Sequence, residues 1–142
     1  LVDDESIQRI VRLARLLQPE EVIDIGLVPD AIPRYWPDVA TSRMVITGER
    51  LLHLHNHHPE TRHFLALVIQ TMLDPDEIHR NNQDAAMAIF WRTIPADEAH
   101  LMRAAVWISN RDGLGCSVIS ARRTRRKDFE REDRRGKRVW RK

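Results

Sequence analysis

Cysteine, lysine and long apolar runs are scarce or absent in this sequence, and each absence excludes a class of structure. The single cysteine, Cys116, has no partner for an internal disulfide and no second thiolate for a structural zinc site. No apolar run approaches the ~20 residues that a membrane-spanning helix needs, and the mean hydropathy is −0.47. With 142 residues, 42% of them hydrophobic, we expect one compact domain that is stabilised by packing and has no membrane partner.

The sequence also has no signal peptide, no lipidation motif and no initiating methionine. Its first residue is Leu1, so we expect the chain to be a segment excised or processed from a longer protein. A missing targeting signal then gives no information about where the parent protein is sent.

The net charge of +2 conceals a strong separation of charge along the chain. Residues 122–142 carry 12 Lys and Arg against 4 Asp and Glu, whereas residues 1–121 carry 11 against 17, so the tail is basic and the body acidic. Of the 23 basic residues 20 are Arg, and all three Lys lie in the tail. Guanidinium groups suit phosphate oxygens. The tail therefore indicates a polyanionic partner, the alternative being a solvated or disordered end.

The first 43 residues combine one helical pattern with a segment in which proline recurs. Apolar residues at helical spacing over residues 4–17, preceded by acidic residues that suit a helix N-terminus, predict a helix. Between Pro19 and Arg43, prolines at every fourth position forbid a continuous helix: Pro29, Pro33 and Pro37. We therefore predict that residues 1–43 form a helical and irregular connector ahead of the main module.

Two helices are predicted at the start of the main module, which we place at residues 44–128. Residues 44–46 predict a short strand, after which Thr47 caps a helix that ends at His57, ahead of a proline. Residues 59–73 begin with proline and carry a wide apolar band. They predict a second helix that packs in the core.

Beyond residue 76 the apolar pattern changes from a period of about 3.6 residues to a period of about 2, which predicts strands. The four predicted strands cover residues 77–81, 86–94, 100–109 and 116–124. We therefore expect an α+β fold in which helices precede a four-stranded antiparallel β-sheet. The helices can cover one face of this sheet, so the other face is expected to be open. Residues 129–142 are expected to form a basic C-terminal tail, with fraying beyond about Arg126.

The expected open face carries arginines and hydroxyls. In the third strand Arg103 alternates with apolar residues. In the fourth strand Ser120, Arg122 and Thr124 share one face, and Ile119 and Ala121 lie on the other. Such a face is a plausible platform for a phosphodiester, although each arginine has an ordinary surface charge as its alternative interpretation. The strand aromatics either stack a nucleobase or belong to the core: Phe90, Trp91 and Trp107.

Five histidines fall within eleven residues and admit three interpretations: His53, His55, His57, His58 and His63. His53 and His57 have the spacing of a helical metal-binding pair, but no third ligand is evident. The second interpretation is a set of surface or packing histidines at a helix end. The third is general acid–base catalysis, which an imidazole performs near neutral pH without a metal.

Cleavage of RNA without a metal needs three kinds of group. A base takes the proton of the 2′-hydroxyl, a cation stabilises the charge on the phosphorane, and an acid protonates the departing 5′ oxygen. His53, Arg103 and Ser120 supply the residue types for that set, with Arg92, Arg122 and Thr124 expected nearby.

Short motifs also occur in a characteristic order between residues 44 and 128. They are ITGERLLH at 46–53, HPE at 58–60, DPDEI at 74–78, strands around Phe90 and Val106, and VISARRT at 118–124. In this order they resemble the phage-associated branch of the barnase–EndoU–colicin–RelE nuclease superfamily. The resemblance implies a helical pair followed by a four-stranded antiparallel sheet.

The resemblance further implies a metal-independent endoribonuclease without a cofactor, often a toxin domain in a phage or polymorphic-toxin protein. It places the helix histidine at His53, the HPE histidine at His58, the strand arginine at Arg103 and the last-strand hydroxyl at Ser120. The identity of the cation that stabilises the phosphate stays open between four arginines: Arg92, Arg103, Arg122 and Arg123. We expect Arg92, Arg122, Arg123 and Thr124 to bind RNA.

RNA is therefore the expected partner, and a toxin also needs a neutralising protein. Electrostatic complementarity favours an acidic immunity protein that covers the arginine-rich face. The expected site of action is the cytoplasm, after delivery or secretion as the C-terminal part of a larger protein. The alternative is a non-catalytic RNA-binding or protein-interaction domain of the same fold.

Overall fold

A computed structural model describes residues 3–39, 42–108 and 115–142. The helices are α1 (Asp4–Arg15), α2 (Ala31–Tyr35), α3 (Gly48–His57), a 3₁₀ turn (Pro59–Arg62), α4 (Leu65–Leu73) and α5 (Arg126–Arg134). The strands are β1 (Val22–Leu27), β2 (Arg43–Thr47), β3 (Glu77–Arg80), β4 (Met87–Ile94), β5 (Asp97–Trp107), β6 (Cys116–Arg125) and β7 (Arg138–Arg141).

The described strands form one mixed sheet in the order β1-β2-β6-β5-β4-β3-β7. β2 and β6 pair in parallel, and the other neighbouring strands pair antiparallel. The α+β class is therefore confirmed, but the predicted four-stranded antiparallel sheet is wrong. The four strands predicted for the sheet are the central meander β3 to β6. The short strand predicted at residues 44–46 is β2, which extends the sheet together with β1 and β7.

The first correction concerns the segment from Pro19 to Arg43, which is not an irregular connector. Alternating side chains build β1, which pairs with β2, and α2 follows it. The prolines do not interrupt β1, since Pro29 comes after its last residue. Pro33 lies in the first turn of α2, where a backbone N–H has no partner within the helix. The division of the chain into connector, module and tail stays a prediction.

The second correction concerns the C-terminal segment, which does not fray beyond Arg126 but forms α5 and β7. Phe129 is the buried residue of α5, and Val139 and Trp140 of β7 pack against the main core. β7 pairs antiparallel with β3. Three well-placed apolar residues outweigh the many charges that suggested a solvated tail, because those charges point away from the contacts or form ion pairs.

The helix predicted over residues 59–73 is divided into the 3₁₀ turn and α4. Thr61 is fully buried in the turn, and its hydroxyl donates a hydrogen bond of 2.6 Å to the His58 carbonyl. The predicted cap of α3 is present, since the Thr47 hydroxyl accepts from the Arg50 N–H. At α1 the Asp3 carboxylate accepts from the Ser6 N–H. These local contacts fix where α1 and α3 begin.

The sheet packs on both faces. Helices α1 to α4 cover one face and form the main core, which includes Met102, Ala104 and Val106 of β5. On the other face, α5 covers a smaller apolar cluster: Ile89, Trp91, Leu101, Ala105 and Phe129. The face that we expected to be open is thus partly covered by α5. None of the helices in the described ranges has the length and apolar character to cross a membrane.

Candidate functional site

A cleft of about 630 Å³ lies where α5 crosses the second face of the sheet. Strands β3 to β6 contribute one wall, α5 contributes another, and residues 81–83 after β3 close one end. Its basic residues outnumber its carboxylates, Asp128 and Glu132; they are Arg80, Arg103, Arg122, Arg123, Arg125, Arg131 and Lys137. This surplus of positive charge makes the cleft an attractive site for an anion.

Arg103 and Arg122 are the central basic pair of the cleft. They stand directly opposite each other on β5 and β6, an arrangement that is unfavourable for like charges. No carboxylate oxygen of the described residues lies within 4.0 Å of either guanidinium. Burial lowers the pKa of Arg103, the charge of Arg122 lowers it further, and Glu132 opposes both effects. Arginine nevertheless stays charged, so the pair forms a focus of positive charge that Glu132, the carboxylate that acts on Arg103, balances only from beyond 4.0 Å.

Two polar groups beside this pair have no hydrogen-bond partner within the part of the chain that the structure describes. They are the indole Nε1 of Trp91 and the hydroxyl of Thr124, both buried atoms of residues that line the cleft. Trp91 is opposite Arg103 on β4, and Thr124 follows Arg122 on the same face of β6. A buried donor without a hydrogen-bond partner lowers the stability of the fold. An anion bound by the two arginines would accept from such donors.

A buried histidine, His79, also lines the cleft. Its ring forms a triangle with those of Phe129 and Trp91, and its centroid is 5.8 Å from each of the other two. Its Nε2 is 3.3 Å from Glu77 Oε2 and 3.4 Å from Asp133 Oδ1. Burial lowers the pKa of His79, and the hydrogen bond and charge of Glu77 only partly offset this effect.

Glu77, His79 and Asp133 each place one possible metal-ligand atom within 4.8 Å of the other two. Both carboxylates are already engaged by guanidinium groups, since Arg138 and Arg141 of β7 each pair with Glu77 and with Asp133. A cation would have to displace these two arginines. We therefore interpret the cluster as an ion-pair network that holds α5 and β7 to β3.

Four of the predicted site residues line the cleft, namely Arg103, Arg122, Arg123 and Thr124. Ser120 lies on the same face of β6, opposite Ala105, but does not line the cleft. Arg123 borders the cleft, yet its guanidinium lies 6.0 Å from the Phe64 ring and 3.8 Å from an Asp97 oxygen. Its charged end therefore lies towards the helical face.

Arg92 lies away from the cleft, on the helical face of β4. Its guanidinium donates to the backbone carbonyl and to the carboxylate of Asp74. These contacts tie β4 to the turn that precedes β3. The predicted RNA-binding role of Arg92 therefore has no geometric link to the Arg103 and Arg122 pair.

The helix histidines stand at a different place from the arginine pair. His53 is exposed on α3 with its ring 4.2 Å from that of His57, and His58 caps the end of the helix. Neither His53 nor His58 lines the cleft. One turn before His53, Arg50 lies 4.8 Å from the ring of Trp107. Trp107 is on the same strand face as Arg103, about 13 Å away at ~3.3 Å per residue, so α3 borders the far end of this face.

Sequence reasoning missed His79 as a residue of the site. The available signal was the alternation Glu77, Ile78, His79, which places two ionisable residues on the face opposite the main core. The cluster of histidines at residues 53–63 gave a stronger pattern. The covering helix α5, without which His79 would be exposed, was also missed.

Residues 16–141 match the model of the phage-Barnase-EndoU-ColicinE5/D-RelE like nuclease2 family. The resemblance drawn from the motifs between residues 44 and 128 is thereby confirmed, and the match includes β1, α2, α5 and β7 as well. No curated protein and no solved structure matches the chain. Since the family model covers most of its length, the chain belongs to the phage-Barnase-EndoU-ColicinE5/D-RelE like nuclease2 family.

Proposed function

We propose that this nuclease is a metal-independent endoribonuclease that binds the scissile phosphate of RNA in the cleft between α5 and the sheet. The observation that carries the proposal is the cross-strand pair of Arg103 and Arg122, neither of which has a carboxylate oxygen of the described residues within 4.0 Å. The hydroxyl of Thr124 and the indole N–H of Trp91 beside it, which have no hydrogen-bond partner among those residues, are donors suited to phosphate oxygens. Four donors of this kind in one cleft favour a phosphodiester over a neutral ligand.

In the proposed reaction, the 2′-hydroxyl of RNA attacks the adjacent phosphorus and a 2′,3′-cyclic phosphate forms as the bond to the 5′ oxygen breaks. Arg103 and Arg122 stabilise the additional negative charge of the phosphorane, because preorganised charges act strongly in a partly buried site. Ser120 orients the phosphate from the same face of β6. His53 and His58 are the candidate acid and base that the sequence supplies, at the α3 end of this face.

The wider proposal is a toxin domain whose substrate is RNA in the cytoplasm and which is delivered as part of a larger protein. An acidic immunity protein over the cleft would block phosphate binding and match the positive charge of Arg103 and Arg122. The basic residues of α5 would track the RNA backbone on the other wall of the cleft.

The test is incubation of total RNA with the purified protein in excess chelator. We expect cleavage by the natural sequence, a loss of rate of about 10²–10³-fold for Arg103→Gln, and no loss for Arg9→Gln, which removes an exposed charge from α1. RNA that stays intact with the natural protein, or equal cleavage by Arg103→Gln, would contradict the proposal.

A second experiment addresses the helix histidine. If His53 transfers a proton in the reaction, His53→Ala lowers the rate by about 10²–10⁴-fold and relieves the growth defect that expression causes in a bacterium. Full activity of His53→Ala would remove His53 from the mechanism while leaving the arginine cleft in place.

A non-catalytic RNA-binding domain is the second candidate function. It is favoured by one observation, that His53 and His58 do not line the cleft that holds the arginine pair. This alternative predicts that RNA is retained without turnover and that Arg103→Gln weakens retention. Product analysis after long incubation separates it from the endoribonuclease.

A further inference from the structure

The buried histidine of the cleft has no part in the mechanism described so far. We propose that His79, oriented by Glu77, is the general base that takes the proton of the 2′-hydroxyl. The inference rests on the proposed function, because it names the proton acceptor of that reaction. It adds an acid–base group that lies in the same cleft as the phosphate-binding arginines.

The sheet register places His79 close to the arginine pair. Glu77 of β3, Trp91 of β4, Arg103 of β5 and Arg122 of β6 are successive cross-strand partners in one row. Trp91 contacts both groups, with His79 centred 5.8 Å and the Arg103 guanidinium 5.9 Å from its ring. With neighbouring strands ~4.8 Å apart, the β3 and β5 backbones are roughly 10 Å apart, and the Arg103 side chain and the His79 ring meet at Trp91 between them. A nucleotide whose phosphate binds Arg103 can therefore place its ribose at His79.

The contacts of His79 fix which ring nitrogen faces the substrate. Nε2 is directed at Glu77 and Asp133, so in the neutral ring Nε2 carries the hydrogen and Nδ1 carries a lone pair. Nδ1 makes no hydrogen bond to the described residues, and it is not one of the buried polar atoms that lack a partner. Nδ1 is therefore the atom through which His79 meets the cleft, in the arrangement of a carboxylate-oriented histidine base.

Charged groups surround His79 from three elements. Glu77 faces it from β3, Asp133 from α5, and Arg138 and Arg141 from β7, where they pair with both carboxylates. Burial lowers the pKa of His79, so the ring is neutral and able to accept a proton near neutral pH. Glu77 then stabilises the imidazolium that forms during the reaction.

The proposed step balances in atoms and protons. The 2′ oxygen forms a bond to phosphorus while its proton passes to Nδ1 of His79, and the bond from phosphorus to the 5′ oxygen breaks. The 5′ oxygen takes a proton, from water or from another acid of the site, and His79 later returns its own proton to water. The products are a 2′,3′-cyclic phosphate and a 5′-hydroxyl.

The decisive variant is His79→Gln, because the glutamine amide can keep the hydrogen bond to Glu77 while it removes the basic nitrogen. We expect kcat to fall by about 10²–10⁴-fold with RNA affinity unchanged. His63→Gln, which replaces an exposed histidine outside the site, is the matched control and keeps full activity. Circular dichroism and a thermal melt report whether each variant is folded.

The pH dependence of kcat/KM separates a base from a purely structural residue. The natural protein should lose activity as the pH falls through a pKa below the ordinary histidine range, and His79→Gln should retain only a low rate without that dependence. We call this loss of activity at low pH the acidic limb of the profile. Glu77→Gln, which removes a charge that raises the pKa of His79, should move the acidic limb to lower pH. This shift is measurable even in a variant of reduced stability.

The outcomes distinguish failure of the inference from failure of the proposed function. A natural protein that does not cleave RNA overturns the proposed function and the inference with it. Cleavage by the natural protein with no acidic limb while the fold persists, or an active His79→Gln that keeps that limb, overturns the inference alone. Loss of the limb in His53→Ala but not in His79→Gln would assign the base to α3 instead.

Discussion

The arginine pair opposes stability at the scale of single residues. Arg103 and Arg122 face each other on neighbouring strands, and no carboxylate oxygen of the described residues lies within 4.0 Å of either. Directly opposed like charges destabilise a sheet by up to ~1 kcal/mol. Replacing either arginine with a neutral residue would remove this repulsion and stabilise the fold. A pair of arginines without a function is therefore not expected at these two opposed positions. The arrangement is understandable when a bound anion supplies the missing negative charge.

Removing one charge of this pair should therefore stabilise the fold and impair the activity. For Arg122→Gln we expect the free energy of unfolding to rise by about 0.5 kcal/mol at low ionic strength, with a loss of RNA cleavage. Urea denaturation with and without added salt checks the first effect, because salt screens the repulsion in the natural protein. A variant that is less stable than the natural protein at low salt would contradict the repulsion.

Cys116 illustrates a residue whose behaviour follows from burial alone. Its side chain is fully buried, the thiol donates to the Ile108 carbonyl at 3.3 Å, and burial raises its pKa to about 11. The reactive thiolate is therefore almost absent at pH 8. We expect a thiol reagent such as Ellman's reagent to leave the native protein unmodified and to react once denaturant is added. Rapid reaction with the folded protein would contradict this burial.

At the scale of elements, α5 lies over the face of the sheet opposite the main core, so that this face forms a cleft rather than an open platform. Its buried residue Phe129 packs against Trp91, with ring centroids 5.0 Å apart, and against His79. All the other side chains of α5 are charged, and half of them form ion pairs, such as Arg131 with Asp128. Because exposed ion pairs contribute little, the attachment of α5 depends mainly on Phe129, on β7 and on the ion-pair network of Glu77 and Asp133.

Phe129→Ala should destabilise this attachment. We expect a cost of about 3 kcal/mol in the free energy of unfolding, as for other buried Phe to Ala changes, and earlier hydrogen exchange in α5 and β7 than in β4 and β5. Lys127→Ala, an exposed change on the same helix, is the control. If exchange in α5 were as slow in Phe129→Ala as in the control, Phe129 would not be the anchor.

The elements that the sequence predicted share strong local signals. α1 and α3 have capping residues and clear periodicity, and β3 to β6 have alternation and polar turns. β1, α2, α5 and β7 escaped prediction because they depend on tertiary partners, such as β1 on β2 and β7 on β3. Strand order is likewise a tertiary property, and the parallel pairing of β2 with β6 follows from no local pattern.

The candidate site, like the fold, was predictable where local patterns determine it and not where packing does. Arg103, Arg122 and Thr124 fall on one strand face by alternation, so the sequence brings them together correctly. The distance of His53 from that group and the proximity of His79 depend on how α3 and α5 pack, which alternation and spacing do not encode.

At the scale of the whole molecule, the structure redistributes the charge that the sequence separates into an acidic body and a basic tail. Many tail charges are paired, including Arg141 with Glu77 and Lys142 with Asp74. Among the described residues, Arg103 and Arg122 have no carboxylate oxygen within 4.0 Å and line the cleft, whereas the other cations without such a partner include Arg126, Lys127 and Arg134 on α5 outside it. Because Arg103 and Arg122 stand opposite each other in the cleft, we expect the cleft rather than residues 129–142 to dominate the binding of RNA.

Salt dependence of RNA binding tests this distribution. Each phosphate contact contributes about −0.7 to the slope of log K against log salt for single strands. We expect Arg122→Gln to reduce the steepness by roughly that amount. Arg135→Gln, whose guanidinium is 3.5 Å from Glu132, should change it little. Equal reductions by the two variants would mean that the tail binds RNA as strongly as the cleft.

The central claim is that this nuclease cuts RNA through the 2′-hydroxyl without a metal. The most direct measurement uses a DNA oligonucleotide that contains a single ribonucleotide, incubated with the protein in excess chelator and compared with the same oligonucleotide made entirely of DNA. We predict one cut, on the 3′ side of the ribonucleotide, with a 2′,3′-cyclic phosphate and a 5′-hydroxyl as ends, and no cut in the DNA control. Cleavage of the DNA control, or a requirement for added metal, would contradict the account.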